Sequence, residues 1–349
     1  MATKEPSNST LHEASRAKKD EFYTQLSDIE KELKHYKNQF KDKIVYLNAD
    51  DPFESSFFKY FASNFNALGL KKLIATSYAG SPFVGGQISL FDIEGLKTAN
   101  KKEPMKIEIN EVKDNNKDGA IDLSDVEWLL KNDKNIATPL KENGDFRSNE
   151  SIKILKEADI VVTNPPFSLF REFVGQLEEY DKKFLIIGNT NAITYKEIFK
   201  LIKEDRLRTG YTNFNVGMFF VVPDDWEKFH HIDEEGNKIA RVSTSCWFTN
   251  LEVKKHKEDI IFFKKYKGNE GEYPKYDNYD GIEVSKVAEI PIDYKKAMGV
   301  PITFVDKYNP NQFEIVKFRK GDDEKDLVYT INGEQKYPYF RILIKHKKL

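Results

Sequence analysis

Asn164-Pro165-Pro166-Phe167 is the stretch of this chain with the most specific chemistry. Residues 158–163, "ADIVVT", lead into it as an apolar, β-branched run. A residue that precedes proline is driven to extended geometry, and each proline ring holds φ near −65°. The result is a stiff loop whose carbonyl oxygens lack neighbouring N–H groups. Asn164 adds an amide oxygen and Phe167 a flat apolar face. Such a notch suits an exocyclic amino group on a planar ring. The Asn164 side-chain oxygen and the Pro165 carbonyl can each accept one of its two N–H bonds. That turns the nitrogen lone pair out of the ring plane, toward an electrophile. Phe167 can stack on the ring, worth roughly 1–3 kcal/mol for a nucleobase. The competing reading is a strand ending in a proline turn with a core Phe. Position directly after an apolar strand favours the catalytic one.

A notch of this kind needs rigid elements behind it. Leu26, Ile29, Leu33, Tyr36 and Phe40 recur at helical spacing, which predicts a helix over 26–40. "KIVYLN" (43–48) reads as a strand, 55–68 as a Phe-rich helix and "KKLIATSY" (71–78) as the next strand. "ADIVVTN", the helix "SLFREFVGQLEEY", the strand 182–189 and a helix over 192–205 continue the alternation. Alternating strands and helices predict an α/β fold, a doubly wound, mostly parallel sheet. Strands apolar throughout, such as "FLII", fit a sheet covered on both faces. Ligands of such sheets sit beyond the carboxyl ends of the strands, where Asn164 falls.

Residues 80–143 are polar, interrupt the pattern and read as an insertion. Within them "DNNKDGAIDLSD" (114–125) has the spacing of a calcium loop. Asp114, Asn116, Asp118, Asp122 and Asp125 are the candidate ligands, with Gly119 at the sharp turn. Position 12 is the shorter Asp instead of Glu, and the entering segment reads as a strand as easily as a helix. The alternative is an acidic turn that caps a helix. Calcium, if bound, would be structural. The adjacent His230 and His231 lack a cysteine or acid at ligand spacing and read as surface.

The remaining composition narrows the class. One cysteine, Cys246, excludes an internal disulfide and a cysteine-rich zinc site. No window is long and apolar enough to cross a membrane, so a cytoplasmic protein is expected. With a net charge of −2, any nucleic-acid contact must come from local patches. Residues 1–19 read as a loose polar arm, in which Arg16, Lys18 and Lys19 could meet phosphate. Residues 20–250 read as the catalytic domain and 251–349 as a C-terminal, target-recognition region. There Lys264, Lys265, Lys267 and Lys275 lie among Tyr266, Tyr273 and Tyr276. With Arg319, Lys320 and Arg341 they are candidates to face DNA.

The words "DEFYTQ", "DDPFESSFFKYFASNF", "GDFRSNESI", "VVTNPPFSLFREF" and "MGVPITFVDKYNPNQFEIVKFRKG", in this order, resemble the EcoRI-type modification methylases. These are γ-group, S-adenosylmethionine-dependent N6-adenine methyltransferases. The resemblance covers nearly the whole chain outside 80–143. It implies a class I methyltransferase fold, transfer of a methyl group to a flipped adenine in double-stranded DNA, and a protective role beside a restriction enzyme. A monomer and a GAATTC-like site are implied too. Carried over, Asn164, Pro165, Pro166 and Phe167 form the catalytic tetrad. Tyr23, Asn48, Asp50, Asp51, Asp145 and Phe146 form the cofactor set. The first loop lacks the glycines usual in the superfamily, so Asp50 or Asp51 would take over, unless the pair caps the next helix. The second strand ends in "TSYA" without the usual acid, which leaves Tyr78 or Ser77 to face the cofactor. Two other acceptors with a planar NH₂, an RNA adenine and a protein glutamine, fit the same tetrad. A non-enzymatic DNA-binding protein on a methylase scaffold is the remaining alternative.

Overall fold

The computed structural model describes residues 23–48, 55–78, 104–115, 117, 123–132, 136–223, 226–234 and 236–348. The chain forms two compact units, Met1–Ala192 with Gly210–Leu251, and Ile193–Thr209 with Glu252–Leu349.

The first unit contains β1 (Tyr23–Thr24), α1 (Leu26–Leu33), β2 (Ile44–Leu47), α2 (Ser56–Ser63), β3 (Lys72–Thr76), β4 (Met105–Ile109), α3 (Leu123–Asn132) and β5 (Ala137–Pro139). It continues with α4 (Asn149–Glu157), β6 (Ile160–Thr163), α5 (Phe170–Glu179), β7 (Lys183–Asn189), β8 (Met218–Val222), β9 (Lys238–Val242) and β10 (Ser245–Thr249). In the main sheet the strands of this unit run β5-β4-β3-β2-β6-β7-β10. β3, β2, β6 and β7 are parallel neighbours. β4, β5 and β10 join antiparallel. The fold is α/β as expected, but the sheet is mixed, not mostly parallel. The reason lies in the segment read as an insertion. Its strands β4 and β5 extend the sheet edge, and antiparallel strands need no crossover helix to do so. β2 and β6, in the middle, are buried at every position, as strands covered on both faces must be.

Local chemistry sets the helix boundaries. Ser55 caps α2 by accepting from the Phe57 and Phe58 amides at 3.0 and 3.3 Å. Ser148 caps α4 by accepting from the Ser151 amide at 3.1 Å. The helix expected over 26–40 is interrupted instead: α1 ends at Leu33 and a short turn resumes at Lys37–Phe40. Between them the Tyr36 hydroxyl turns back to donate to Glu32 Oε1 at 2.7 Å. The helix expected over 55–68 breaks likewise at Asn64, whose side chain donates to the Tyr60 carbonyl at 2.8 Å.

Glu32 itself is wholly buried. Besides Tyr36 it accepts from the Tyr211 and Thr212 amides at 2.6 and 2.7 Å and from the Thr212 hydroxyl at 2.6 Å. It thereby clamps the loop that leads into β8. A second small sheet follows, in which β8 pairs antiparallel with both β1 and β9.

The second unit contains α6 (Lys196–Lys203), β11 (Gly281–Glu283), β12 (Ala297–Pro301), β13 (Phe313–Phe318), β14 (Tyr329–Ile331), β15 (Glu334–Lys336) and β16 (Arg341–His346). Its main sheet runs β11-β12-β16-β13, and β14 and β15 form a separate two-stranded ribbon. The sequence pattern assigned α6 to the catalytic part, whereas the contacts group it here. Its apolar face, Ile198, Phe199 and Ile202, is buried, and Phe199 lies 4.9 Å from Phe318 between ring centroids.

Glu32→Ala leaves the two half-buried amides of Tyr211 and Thr212 without their acceptor. We expect a loss of about 3 kcal/mol in urea unfolding, because hydrogen bonds to a charged group are the stronger kind. An unchanged midpoint would remove the clamp from the account of stability.

Candidate active site

The site begins at the seam between β2 and β6. The two strands are parallel, with Val45 opposite Ile160 and Tyr46 opposite Val161. Asn48 and Thr163 therefore come side by side just past this pairing. The Thr163 hydroxyl donates to the Asn48 carbonyl at 2.9 Å, in a buried contact. β2 feeds β3 on one side, and β6 feeds β7 on the other. The seam is thus the switch point of the sheet, where α/β proteins open a crevice beyond the strand ends.

Asn164-Pro165-Pro166-Phe167 leaves β6 at this point. Asn164, Pro166 and Phe167 are half-buried, and Pro165 is buried. The Leu169 amide donates to the Pro166 carbonyl at 2.9 Å, which closes a short helical turn over Phe167–Leu169. Phe167 meets Phe220 of β8 nearly at right angles, centroids 6.4 Å apart. Phe220 in turn lies opposite Thr24 in the β1–β8 register, beside Tyr23 and Val221. Phe220 thus links the tetrad to the buried Thr24, while the half-buried Tyr23, opposite Val221, lies on the other face of the small sheet.

Asn48 is buried, and its side chain is oriented from below. The Tyr46 hydroxyl donates to Asn48 Oδ1 at 3.1 Å and lies 3.0 Å from the Thr76 hydroxyl of β3. Burial pushes the Tyr46 hydroxyl up to about 12, so it stays protonated. Asn48 Nδ2 and Thr24 Oγ1 are both buried, and neither finds a hydrogen-bond partner among the described residues. A buried polar group left unmatched costs about 1–3 kcal/mol. Two such groups near the strand ends are what a polar ligand would satisfy.

The third wall comes from the segment before α4. Gly144, at φ 77°, runs so close to the Ser77 carbonyl that a side chain there would collide with it. This packing brings Asp145 and Phe146 beside the end of β3, where Ser77 and Tyr78 lie. Asp145 is engaged: Arg147 donates Nε to Oδ1 at 2.8 Å and Nη2 to Oδ2 at 2.6 Å. The guanidinium holds the Asp145 carboxyl below the usual carboxylate range. Phe146 is buried against Phe173, centroids 5.1 Å apart, and acts as a wall. Ser77 Oγ is committed to the Met105 amide at 2.8 Å, so of the pair Ser77 and Tyr78 the half-buried Tyr78 is the better candidate. Asp50 and Asp51 lie outside the described residues.

Thr24, Tyr46, Thr163 and Phe220 were not singled out from the sequence. A hydroxyl at the last position of an apolar strand marks Thr163. Nothing local marks Thr24 and Phe220, whose partners are distant in sequence, and Tyr46 joins its near neighbour Asn48 to the distant Thr76.

Two expectations need correction. Calcium finds no support: among the described residues no group of three acidic, His or Cys side chains could hold a metal. Asp125, in the first turn of α3, is buried and accepts from the Asn115 amide at 2.7 Å. Asn116, Asp118 and Asp122 lie outside the described residues. The aromatic and basic residues expected to face DNA are also largely committed within the second unit. Tyr273 and Tyr276 are core residues. The Tyr276 hydroxyl donates to Glu283, which also accepts from Arg341 Nε at 2.8 Å. Arg319 and Lys320 both pair with Asp326, at 2.6 and 2.7 Å. Lys265, Lys267 and Lys275 remain exposed. Arg16, Lys18 and Lys19 lie outside the described residues.

Tyr46→Phe tests how the seam is held. At neutral pH the variant should lose about 1–2 kcal/mol, since Asn48 and Thr76 each lose a hydrogen-bond partner. Between pH 10 and 12 the unfolded chain sheds the phenolic proton and the folded chain keeps it, so wild-type stability falls as pH rises through that window. The variant should lose less over the same range. Parallel stability curves for the two proteins would contradict this.

Comparison with known proteins agrees with this geometry. The family model described as "Adenine-specific methyltransferase EcoRI" matches residues 10–347. The Type II methyltransferase M.EcoRI of Escherichia coli is 50% identical over 346 residues, 98% of each chain. The Type II methyltransferase M.MpnI of Mycoplasma pneumoniae is 39% identical, across 97% of this chain and 98% of its own. M.MgeORF184P of Mycoplasma genitalium is 34% identical, across 97% and 99%. No solved structure matches the chain significantly. The matched span includes the seam, the tetrad and the second unit, and the chain belongs to the EcoRI family of adenine-specific methyltransferases.

Proposed function

We propose that this protein methylates N6 of a specific adenine in duplex DNA, as the protective half of a restriction–modification system, and that it acts as a cytoplasmic monomer. The observation that carries the reading is the Thr163–Asn48 contact, which lies where the Asn-Pro-Pro-Phe notch leaves the sheet's switch point, with the buried Asn48 amide nitrogen unmatched beside it. The sheet order around that point supports the class I fold. GAATTC is the proposed site, on the strength of the likeness to M.EcoRI.

Asn48 and Thr24 would hold polar groups of S-adenosylmethionine, Tyr23, Tyr78 and Phe146 would wall it, and Asp145 would lie at its edge. Asp50 and Asp51, in the loop after β2, remain proposed cofactor contacts. When bound, the cofactor supplies a methyl group on a sulfonium, an electrophile that needs no metal. Extruding the adenine from the duplex costs a few kcal/mol. Stacking on Phe167 and two hydrogen bonds offset it. The Asn164 side-chain oxygen and the Pro165 carbonyl accept the two N6 hydrogens. That orientation would hold the nitrogen lone pair out of the ring plane to receive the methyl group, which the sulfonium would give up by becoming a thioether, one N6 proton then passing to solvent. The near-perpendicular Phe220 ring keeps Phe167 from turning.

Asn164→Ala should lower kcat for labelled methyl transfer to duplex DNA by roughly 10²–10³, the effect of losing one preorganised polar contact at a reacting atom. S-adenosylmethionine binding, measured by calorimetry, should barely change. Normal turnover in this variant would refute the assignment. Single-molecule sequencing of plasmid DNA from expressing cells should show N6-methyladenine at a single sequence motif. RNA or protein acceptors methylated in preference to duplex DNA would replace the reading.

A further inference from the structure

The β14–β15 ribbon in the second unit is ordered yet unpacked. Its strands pair Tyr329 with Lys336, Thr330 with Gln335 and Ile331 with Glu334. Asn332 and Gly333 close the turn with φ of 51° and 80°, both left-handed, as a tight hairpin turn requires. Every residue from 330 to 337 is exposed, including Ile331 at 40% and Tyr337 at 67%; Tyr339 beyond them reaches 71%. An isolated two-stranded ribbon is marginal in water. This one is held at its root instead. Tyr329 packs against the buried cluster of Tyr276, Ala297, Leu327 and Leu343. The Thr330 hydroxyl donates to Asp277 at 2.7 Å. On the exit side Arg341 donates to the Tyr339 carbonyl at 2.6 Å and to the buried Glu283.

A rooted ribbon with both faces free is shaped to enter something. Its side chains say what. Residues 329–348 carry the basic Lys336, Arg341, Lys345, Lys347 and Lys348 against the lone acid Glu334. Glu334 pairs with Lys336 in an exposed contact at 2.6 Å, of a kind that competing phosphate or base edges can displace. Asn332 sits at the tip, and Gln335 lies on one face beside Tyr337. Amides read adenine N6 and N7 in the major groove. That groove is wide enough for a two-stranded ribbon.

Resting on the reading of the protein as a duplex-DNA methylase, we propose that the β14–β15 ribbon enters the major groove and reads base edges, with Asn332 at its tip and Gln335 on the face opposite Tyr329 as specificity-determining residues. Lys336, exposed on the ribbon's other face, is placed to meet a flanking phosphate, a contact that positions the ribbon and carries no sequence information.

The test compares wild type with Asn332→Gly/Gln335→Ala, in which glycine keeps the left-handed turn. Full-length protein is assayed on a duplex bearing its own site, taken from the plasmid sequencing, and on duplexes with one base pair changed. The variant should lose roughly 10- to 100-fold in discrimination between the two. Its cofactor affinity and unfolding midpoint should be unchanged. Unaltered discrimination, or an equal fall on every duplex, would overturn the proposal. Self-association of the wild type that the variant abolishes, with discrimination intact, would assign the ribbon to a second copy and overturn it as well. A wild type that methylates no duplex would fail at the underlying reading, a separate and recognisable result.

Discussion

One hydrogen bond across the β2–β6 seam ties the two halves of the site together. The Thr163 hydroxyl reaches the Asn48 carbonyl from the residue just before the Asn-Pro-Pro-Phe notch. The notch is stiff by itself, since two prolines fix its backbone. Stiffness does not place it. Placement comes from parallel pairing, which brings Asn48 and Thr163 level, and from the hydroxyl that closes the remaining distance. Tyr46 adds a second anchor from beneath by binding Asn48 and approaching Thr76 on the next strand. Three adjacent strand ends thereby hold one geometry without a glycine-rich loop.

The second wall depends on packing between distant parts of the chain. Phe167 rests against Phe220, and Phe220 lies opposite Thr24. The strand carrying Phe220 follows a loop clamped by Glu32. A carboxylate buried on α1 therefore supports an aromatic ring at the acceptor notch through the intervening loop and strand. Replacing a buried acceptor of this kind is disruptive because it removes four hydrogen bonds at once, from Tyr36, from the Tyr211 amide and from the Thr212 amide and hydroxyl.

Much of this was legible in the sequence, for physical reasons. Strands covered on both faces are apolar at each position, so "IVYL" and "IVVT" stood out. The tetrad stood out because two prolines after an amide have few other uses. What escaped was set by single side-chain contacts, some local and some between distant residues. Tyr36 and Asn64 break helices that periodicity would continue, each through one side-chain hydrogen bond. Thr24 and Phe220 carry no local mark. The lysines and tyrosines after residue 260 read as a nucleic-acid surface, yet Tyr276 and Arg341 converge on a buried Glu283. Composition counts charges but does not see their partners. The calcium spacing likewise did not show that Asp125 serves the Asn115 amide.

The Glu32 clamp also dictates when the first unit can be finished. Its amide partners lie 179 and 180 residues downstream. Contacts this remote close late, because the loop entropy is spent before the contact rewards it. During synthesis the amino-terminal helix must wait for most of the unit to leave the ribosome. The strand that pairs with β1 emerges only a few residues later. The parallel core can assemble first, and the pocket's aromatic wall is the last part of the unit to set. A chain stopped short of residue 212 would hold the notch and lack the surface that steadies it.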